Sequence, residues 1–148
     1  MDDQSCELPV SNASTEEIDG ILSTATTIAV VGLSDNPERE SHKVASYLQA
    51  RGYRIVPVNP ALAGKAIHGR LVVDSLSAVK KPIDIVDIFR ASEYVAPIVD
   101  DAIKVGAKAV WMQLGVIDEK AAAKASAAGL KVVMNRCPKI EWRRLGLG

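Results

Sequence analysis

Residues 27–43, TIAVVGLSDNPERESHK, constrain the fold more than any other stretch of this chain. Ile28-Ala29-Val30-Val31 is an apolar, β-branched run, too short for a helix and bounded by small polar residues. Such a run reads as a strand buried on both faces of a parallel sheet. Gly32 follows directly, then the turn-rich Leu33-Ser34-Asp35-Asn36-Pro37, then a helical pattern from about Ser41. Strand, glycine turn and helix make the first half of a βαβ unit, whose turn amides and helix N-terminus attract an anion. A phosphate-bearing ligand is the expectation.

The rest of the chain repeats that alternation. Ser14-Thr15-Glu16-Glu17 has the spacing of a capping box and predicts a short helix with Ile18, Ile21 and Leu22 on its inner face. The helix after the glycine turn places Val44, Ala45, Tyr47 and Leu48 inward and stops at Gly52. Further strands are predicted over 53–58, 83–89, 109–112 and 131–134. Pro57 points to an edge position in the first of these. A helix capped by Ser92 and running through Val105, an alanine-rich helix over 118–128 and a last short helix opened by Pro138 complete the pattern. The fold class is therefore α/β: a Rossmann-like open, mainly parallel sheet of five to six strands with helices on both faces. Residues 1–13 show no periodicity and read as a flexible tail, leaving residues 14–148 as a single domain. A ligand is expected beyond the carboxyl ends of the strands, bordered by the loops after Val31, Val58, Ile88 and Met112.

Composition narrows the partners. Lys+Arg and Asp+Glu both number 18, so no overall basic field calls for nucleic acid or an anionic membrane. The longest apolar runs are strand-length, and the acidic N-terminus lacks the basic start and apolar core of a signal peptide. Cys6 and Cys137 form neither a disulfide framework nor a metal motif, so a reducing cytoplasm is the expected compartment. His42 and His68, the two histidines, lack metal-ligand spacing, and no metal is expected.

The glycine loop reads Gly32-x-Ser34 rather than G-x-G-x-x-G, and the second strand ends at Asn59 where an NAD-binding fold has an acidic residue. Both features argue against a nicotinamide-dependent oxidoreductase, which stays as a third option. Arg39, His42 and Lys43 cluster at the helix entrance, and Lys65 and Arg90 stand on neighbouring loops, a set able to neutralise several phosphates. Pairing of Arg39 and Lys43 with Glu38 or Glu40 on a solvated helix face weighs equally. Asp84 and Asp87 need hydrogen-bond partners or an exposed strand end, and their spacing on a strand turns them to opposite faces, which favours structural roles. Cys137 reads as a packing cysteine before a reactive one, and Trp111 and Trp142 as core or lid residues. No catalytic constellation emerges.

The segments Val30-Val31-Gly32-Leu33-Ser34, Val56-Pro57-Val58-Asn59-Pro60, Ile85-Val86-Asp87-Ile88-Phe89, Trp111-Met112-Gln113-Leu114-Gly115 and Arg136-Cys137-Pro138 together resemble the small stand-alone CoA-binding proteins. These are relatives of the N-terminal CoA-binding domain of succinyl-CoA synthetase α subunits and NDP-forming acyl-CoA synthetases. The resemblance implies coenzyme A as the ligand. It implies that Gly32, Leu33, Ser34 and the helix start at Ser41, His42 and Lys43 hold phosphates, with Arg39 beside them. It also implies that Val58, Asn59, Pro60, Ile88, Phe89 and Arg90 flank the adenosine, and that Gln113 lies toward the pantetheine. The synthetases carry a second glycine in the first loop where this chain has Asp35, so the phosphate contacts do not transfer atom for atom.

The function expected is binding of coenzyme A or an acyl-CoA without catalytic machinery of its own. The alternative is a CoA-binding component of an acyl-CoA synthetase, completed by a separate protein partner carrying ligase or transferase activity. Exchanging Gly32 for a bulky residue is expected to abolish CoA binding while leaving the sheet folded. Oligomeric state stays open.

Overall fold

A computed structural model describes residues 12–146. Helix α1 (Thr15–Thr24) starts with the capping box seen in the sequence: the Ser14 hydroxyl accepts from the Glu17 amide, and the Glu17 carboxylate accepts from the Ser14 amide. Strand β1 (Thr27–Val31), helix α2 (Glu40–Ala50) and strand β2 (Arg54–Val58) follow. A small antiparallel hairpin, β3 (Ala66–Ile67) and β4 (Arg70–Leu71), interrupts the crossover to β5 (Ile85–Ile88). Then come α3 (Val95–Val105), β6 (Ala109–Met112), α4 (Glu119–Ala127), β7 (Lys131–Val133) and α5 (Pro138–Leu145).

The main sheet has five strands in the order β2-β1-β5-β6-β7, and every pair is parallel. Its faces are covered separately. Ile28, Val30, Ile85, Trp111 and Val133 meet the inner residues of α1 and α2, with Trp142 and Leu145 of α5 at the margin. Val31, Val86, Val110 and Met112 meet Val95, Val99 and Ala102 of α3 and the alanines of α4. Both β1 and β5 are buried at every position, the pattern of a parallel strand between two helical layers. This is the Rossmann-like α/β fold expected, with five strands in the main sheet.

Several local expectations shift. Ser92 does not cap a helix: it opens a 3₁₀ turn, Ser92–Tyr94, and its hydroxyl accepts from the Ile117 amide, tying the loop after β5 to the loop after β6. Within the stretch that follows the loop after Val58, His68 and Gly69 form the turn of the β3–β4 hairpin, both with positive φ (52° and 76°). Two successive left-handed residues suit a two-residue hairpin. Strand β5 is shorter than 83–89. Pro57 does lie on an edge strand, with its carbonyl accepting from Val73. Asn12 falls within the tail expected over 1–13, yet its side chain bonds both the amide and the carbonyl of Met134, 2.9 Å each, beyond the end of β7. The remainder of that tail, residues 1–11, lies outside the described residues.

Candidate functional site

Strand order decides where a ligand can sit. From β1 the chain moves outward to β2, then crosses to β5 on the other side of β1, so the winding reverses between β1 and β5. Crossover connections diverge at that point and leave a crevice beyond the strand ends. Its floor is built at Gly32 and Phe89. The Phe89 amide donates to Val31 O (2.9 Å) and the Gly32 amide to Val58 O (2.8 Å), so the loops after three strands are stitched together. Gly32 has φ +88°, and a Cβ there would stand 2.5 Å from the Phe89 carbonyl oxygen and 3.1 Å from Arg90 Cδ. A side chain at residue 32 must push these loops apart. The expectation that a bulky Gly32 variant leaves the sheet unaffected is therefore corrected: the change loads the central strand crossing itself.

The turn after β1 is held from within. Ser41, buried at the start of α2, accepts from the Ser34 amide (3.0 Å), and Ser34 Oγ accepts from the Asn36 amide (3.0 Å). Asn59 donates to Leu33 O (3.1 Å) and accepts from the Ala61 amide (3.0 Å), so it clamps the first crevice loop to the second. Leu33 is fully buried. The amides of His42 and Lys43 both turn back to Arg39 O. Thus Gly32, Ser34, His42 and Lys43 already use their amides inside the protein. Arg39, the N-cap, has no side-chain cap bond, and the helix mouth presents the amides of Glu40 and Ser41.

Charge around the crevice differs from the expectation in one respect. Arg39, Lys43 and Lys65 are exposed, and none is in an ion pair among the described residues, so the pairing with Glu38 or Glu40 does not form. The His42 and His68 rings pack with centroids 4.1 Å apart and planes tilted by 53°, and His68 Nε2 contacts His42 O at 3.1 Å. Burial, and then the neighbouring His68, push the His42 imidazole below its ordinary pKa and so disfavour its charged form. It packs against His68 and is a poorer source of positive charge than the arginine and lysines. Arg90 lies across Gly32 with its guanidinium 4.5 Å above the Tyr94 ring.

A cavity of about 160 Å³ opens where these loops converge, and it joins Val58, Pro60 and Arg90 with Val31, Leu76 and Ile98. Asp74, Ser75 and Asp101 complete its wall. Sequence reasoning did not single out these three polar residues, because the short 3₁₀ segment Leu76–Ala78 and the flank of α3 come to the crevice only through the crossover. A larger groove of about 730 Å³ lies at the opposite sheet edge, between α1, α4 and β7, and is floored by alanines remote from the switch point. Ile88 is fully buried and faces the core, not a ligand. Gln113 follows β6, donates its amide to Ile88 O and is buried, with Oε1 unpaired. Arg136, another residue the sequence reading did not place at the site, stands close by: its amide bonds Met112 O, and its carbonyl accepts from Trp111 Nε1 at 2.8 Å.

Of the two aspartates expected to have a hydrogen-bond partner or an exposed strand end, Asp84 does and Asp87 does not. Asp84 sits at the far, amino-terminal edge of the sheet, where it accepts from Thr26 and Thr27 and pairs with Lys108 at 3.3 Å. Despite the opposing effect of burial, those donors hold its pKa down to about 2. Asp87 lies between Val30 and Trp111 with no exposure, neither oxygen is hydrogen-bonded, and burial raises its pKa well above the carboxylate range. Cys137 is a free, buried thiol at the start of α5, packed in the same core as Trp111.

Similarity to other proteins accords with this arrangement. Residues 26–143 match the family described as CoA binding domain. The uncharacterized protein YneT of Bacillus subtilis (strain 168) is 40% identical over 131 residues, covering 88% of this chain and 96% of that protein. A hypothetical protein from Pyrococcus horikoshii OT3 superimposes with TM-score 0.88 at 38% identity, covering 95% of this chain and 97% of the other. The dinucleotide-forming acetyl-coenzyme A synthetase 1 of Ca. Korarchaeum cryptofilum shares the fold: TM-score 0.67, 24% identity, 74% of this chain and 26% of the synthetase. Because the family match spans the whole sheet and every loop bordering the crevice, this chain belongs to the CoA-binding domain family.

Proposed function

We propose that the protein binds coenzyme A, free or acylated, in the crevice between β1 and β5. The observation that carries this reading is the convergence of Val58, Pro60 and Arg90 on one cavity at the switch point of a CoA-binding-family sheet. In this reading the adenosine enters that cavity, flanked by Asn59 and Phe89. The phosphates lie over the mouth of α2, with Gly32, Leu33 and Ser34 shaping the turn beneath them. Arg39, Lys43 and Lys65 supply the charge, and the free amides are those of Glu40 and Ser41. The pantetheine runs toward Gln113 and Arg136. A CoA 3′-phosphate explains an exposed cation set where an NAD ribose would want a carboxylate.

A non-catalytic role is supported by where the reactive side chains are. The two histidines pack on each other, Asp84 is locked at the wrong edge of the sheet, and Cys137 is buried. We place residues 14–148 in one domain and the protein in the cytoplasm, where a free cysteine persists. No helix among the described residues is long and apolar enough to cross a membrane.

Thermal unfolding with CoA, dephospho-CoA, NAD and NADP tests the reading. A ligand at about 100 times its Kd stabilises by roughly 2.7 kcal/mol, worth several degrees in a domain of this size. A shift with CoA, reduced for dephospho-CoA and absent for NAD, is expected. A shift with NAD alone overturns it. A second reading, a CoA-binding component of a synthetase assembled from separate chains, is favoured by the fold shared with about a quarter of a synthetase chain. Nucleotide-dependent acyl-CoA formation on mixing with a partner ligase subunit is its test, and none with any candidate partner tells against it.

A further inference from the structure

We propose that Asp74 and Ser75 read the 6-amino edge of an adenine ring and so set base specificity at the crevice; the proposal rests on the CoA-binding reading above. The cavity is small. At about 160 Å³ it falls well short of the roughly 300–1,000 Å³ of a site that engulfs a whole ligand, and suits one flat ring system. The apolar part of its wall comes from Val31 and Val58 at the strand ends and from Leu76 and Ile98 of the covering segments. Such walls grip the faces of a ring but cannot tell one purine from another. Discrimination has to come from polar groups at the ring's edge.

Asp74 and Ser75 provide adjacent groups of opposite hydrogen-bonding character. An ionised carboxylate only accepts, whereas a hydroxyl can donate. Adenine's edge is the complement: N6 donates and N1 accepts. Ser75 is free to take part. It precedes the 3₁₀ turn Leu76–Ala78 without a side-chain capping bond, and its hydroxyl has only a contact with Ser77 Oγ at 3.0 Å. A 6-oxo purine would set its carbonyl oxygen against the Asp74 carboxylate, acceptor against acceptor. Asp101 reaches the same cavity from α3, but its chain neighbours, Asp100 and Ala102, carry no side-chain donor to complete the pair.

Titration calorimetry of the full chain with CoA, adenosine 3′,5′-bisphosphate and inosine 3′,5′-bisphosphate tests the assignment. The wild type is expected to bind the adenosine compound about 10- to 100-fold more tightly than the inosine compound. Asp74→Ala, an exposed position, is expected to bring that ratio close to one, with Asp101→Ala leaving it in place. Binding of CoA with no preference between the two bisphosphates overturns the proposal and leaves the CoA reading standing. A ratio abolished by Asp101→Ala and kept by Asp74→Ala overturns the assignment to Asp74. Failure of the wild type to bind CoA at all overturns both.

Discussion

Asp87 and Asp84 lie three positions apart, yet their surroundings drive them to opposite protonation behaviour. Asp87 has no partner among the described residues and no exposure, so burial favours its neutral carboxyl in the folded chain and raises its pKa well above the ordinary value of 3.8. The folded state then binds more protons than the unfolded one, so its stability contribution falls as pH rises from about 4 toward the raised folded value. Replacing Asp87 by Asn keeps shape and polarity without a titrating proton. Denaturant titrations across pH should show the wild-type decline above about pH 4 flattened in that variant. Asp84 has the reverse sign: held at about 2, it contributes above its unfolded pKa of 3.8 and loses that contribution as pH falls toward 2. Asp84→Asn should cost about 2 kcal/mol at neutral pH by urea unfolding, since it weakens bonds to a charged acceptor. Gly32→Val is expected to cost more than about 2 kcal/mol, because it combines a left-handed backbone with a clash on the Phe89 carbonyl. Any loss of ligand affinity in that variant must be separated from loss of fold.

At the scale of elements, the ends matter more than the middles. The edge strand β7 is three residues long, and the chain beyond it is held at Met134 by the two Asn12 bonds, which occupy that residue's backbone amide and carbonyl. Asn12→Ala should destabilise by about 1–2 kcal/mol and speed hydrogen exchange at the Met134 amide. An unchanged exchange rate would show that the contact does not guard the edge. Helix ends were partly legible in the chain itself: the capping box at Ser14 and the stop after Val105, where Gly106 takes φ 74°, whereas Asp118, expected inside its helix, is the cap that accepts from Ala121. Ser92 was misleading for a physical reason. A serine before an apolar run is an N-cap only if its hydroxyl is left to its own helix, and here Ile117 takes it. The hairpin β3–β4 also escaped reading, because its strands are two residues each and carry no alternation to detect.

At the scale of the whole molecule, two helical layers share one sheet, so neither core can survive loss of the other. Unfolding should be a single cooperative transition, with far-ultraviolet dichroism and tryptophan fluorescence coinciding; Trp111 is fully buried and Trp142 half-buried, so both probes report. Separate transitions would contradict a single domain over residues 14–148. The sequence by itself determined the succession of strands and helices, the Rossmann-like class and the glycine turn after β1, because these follow from patterns among neighbours along the chain. It also marked the loops after Val58 and Ile88, the latter carrying Arg90, as crevice loops, since each follows a strand's carboxyl end, while Val58 and Pro60 were singled out by the family resemblance. Only the tertiary structure decided that the sheet winds β2-β1-β5, that Gly32 abuts the Phe89 carbonyl, and that His42 packs against His68. It alone brought Asp74 and Ser75 to the same cavity. Those are contacts between residues far apart in the chain, set by which way each crossover turns, and no local pattern of apolar and polar residues encodes that.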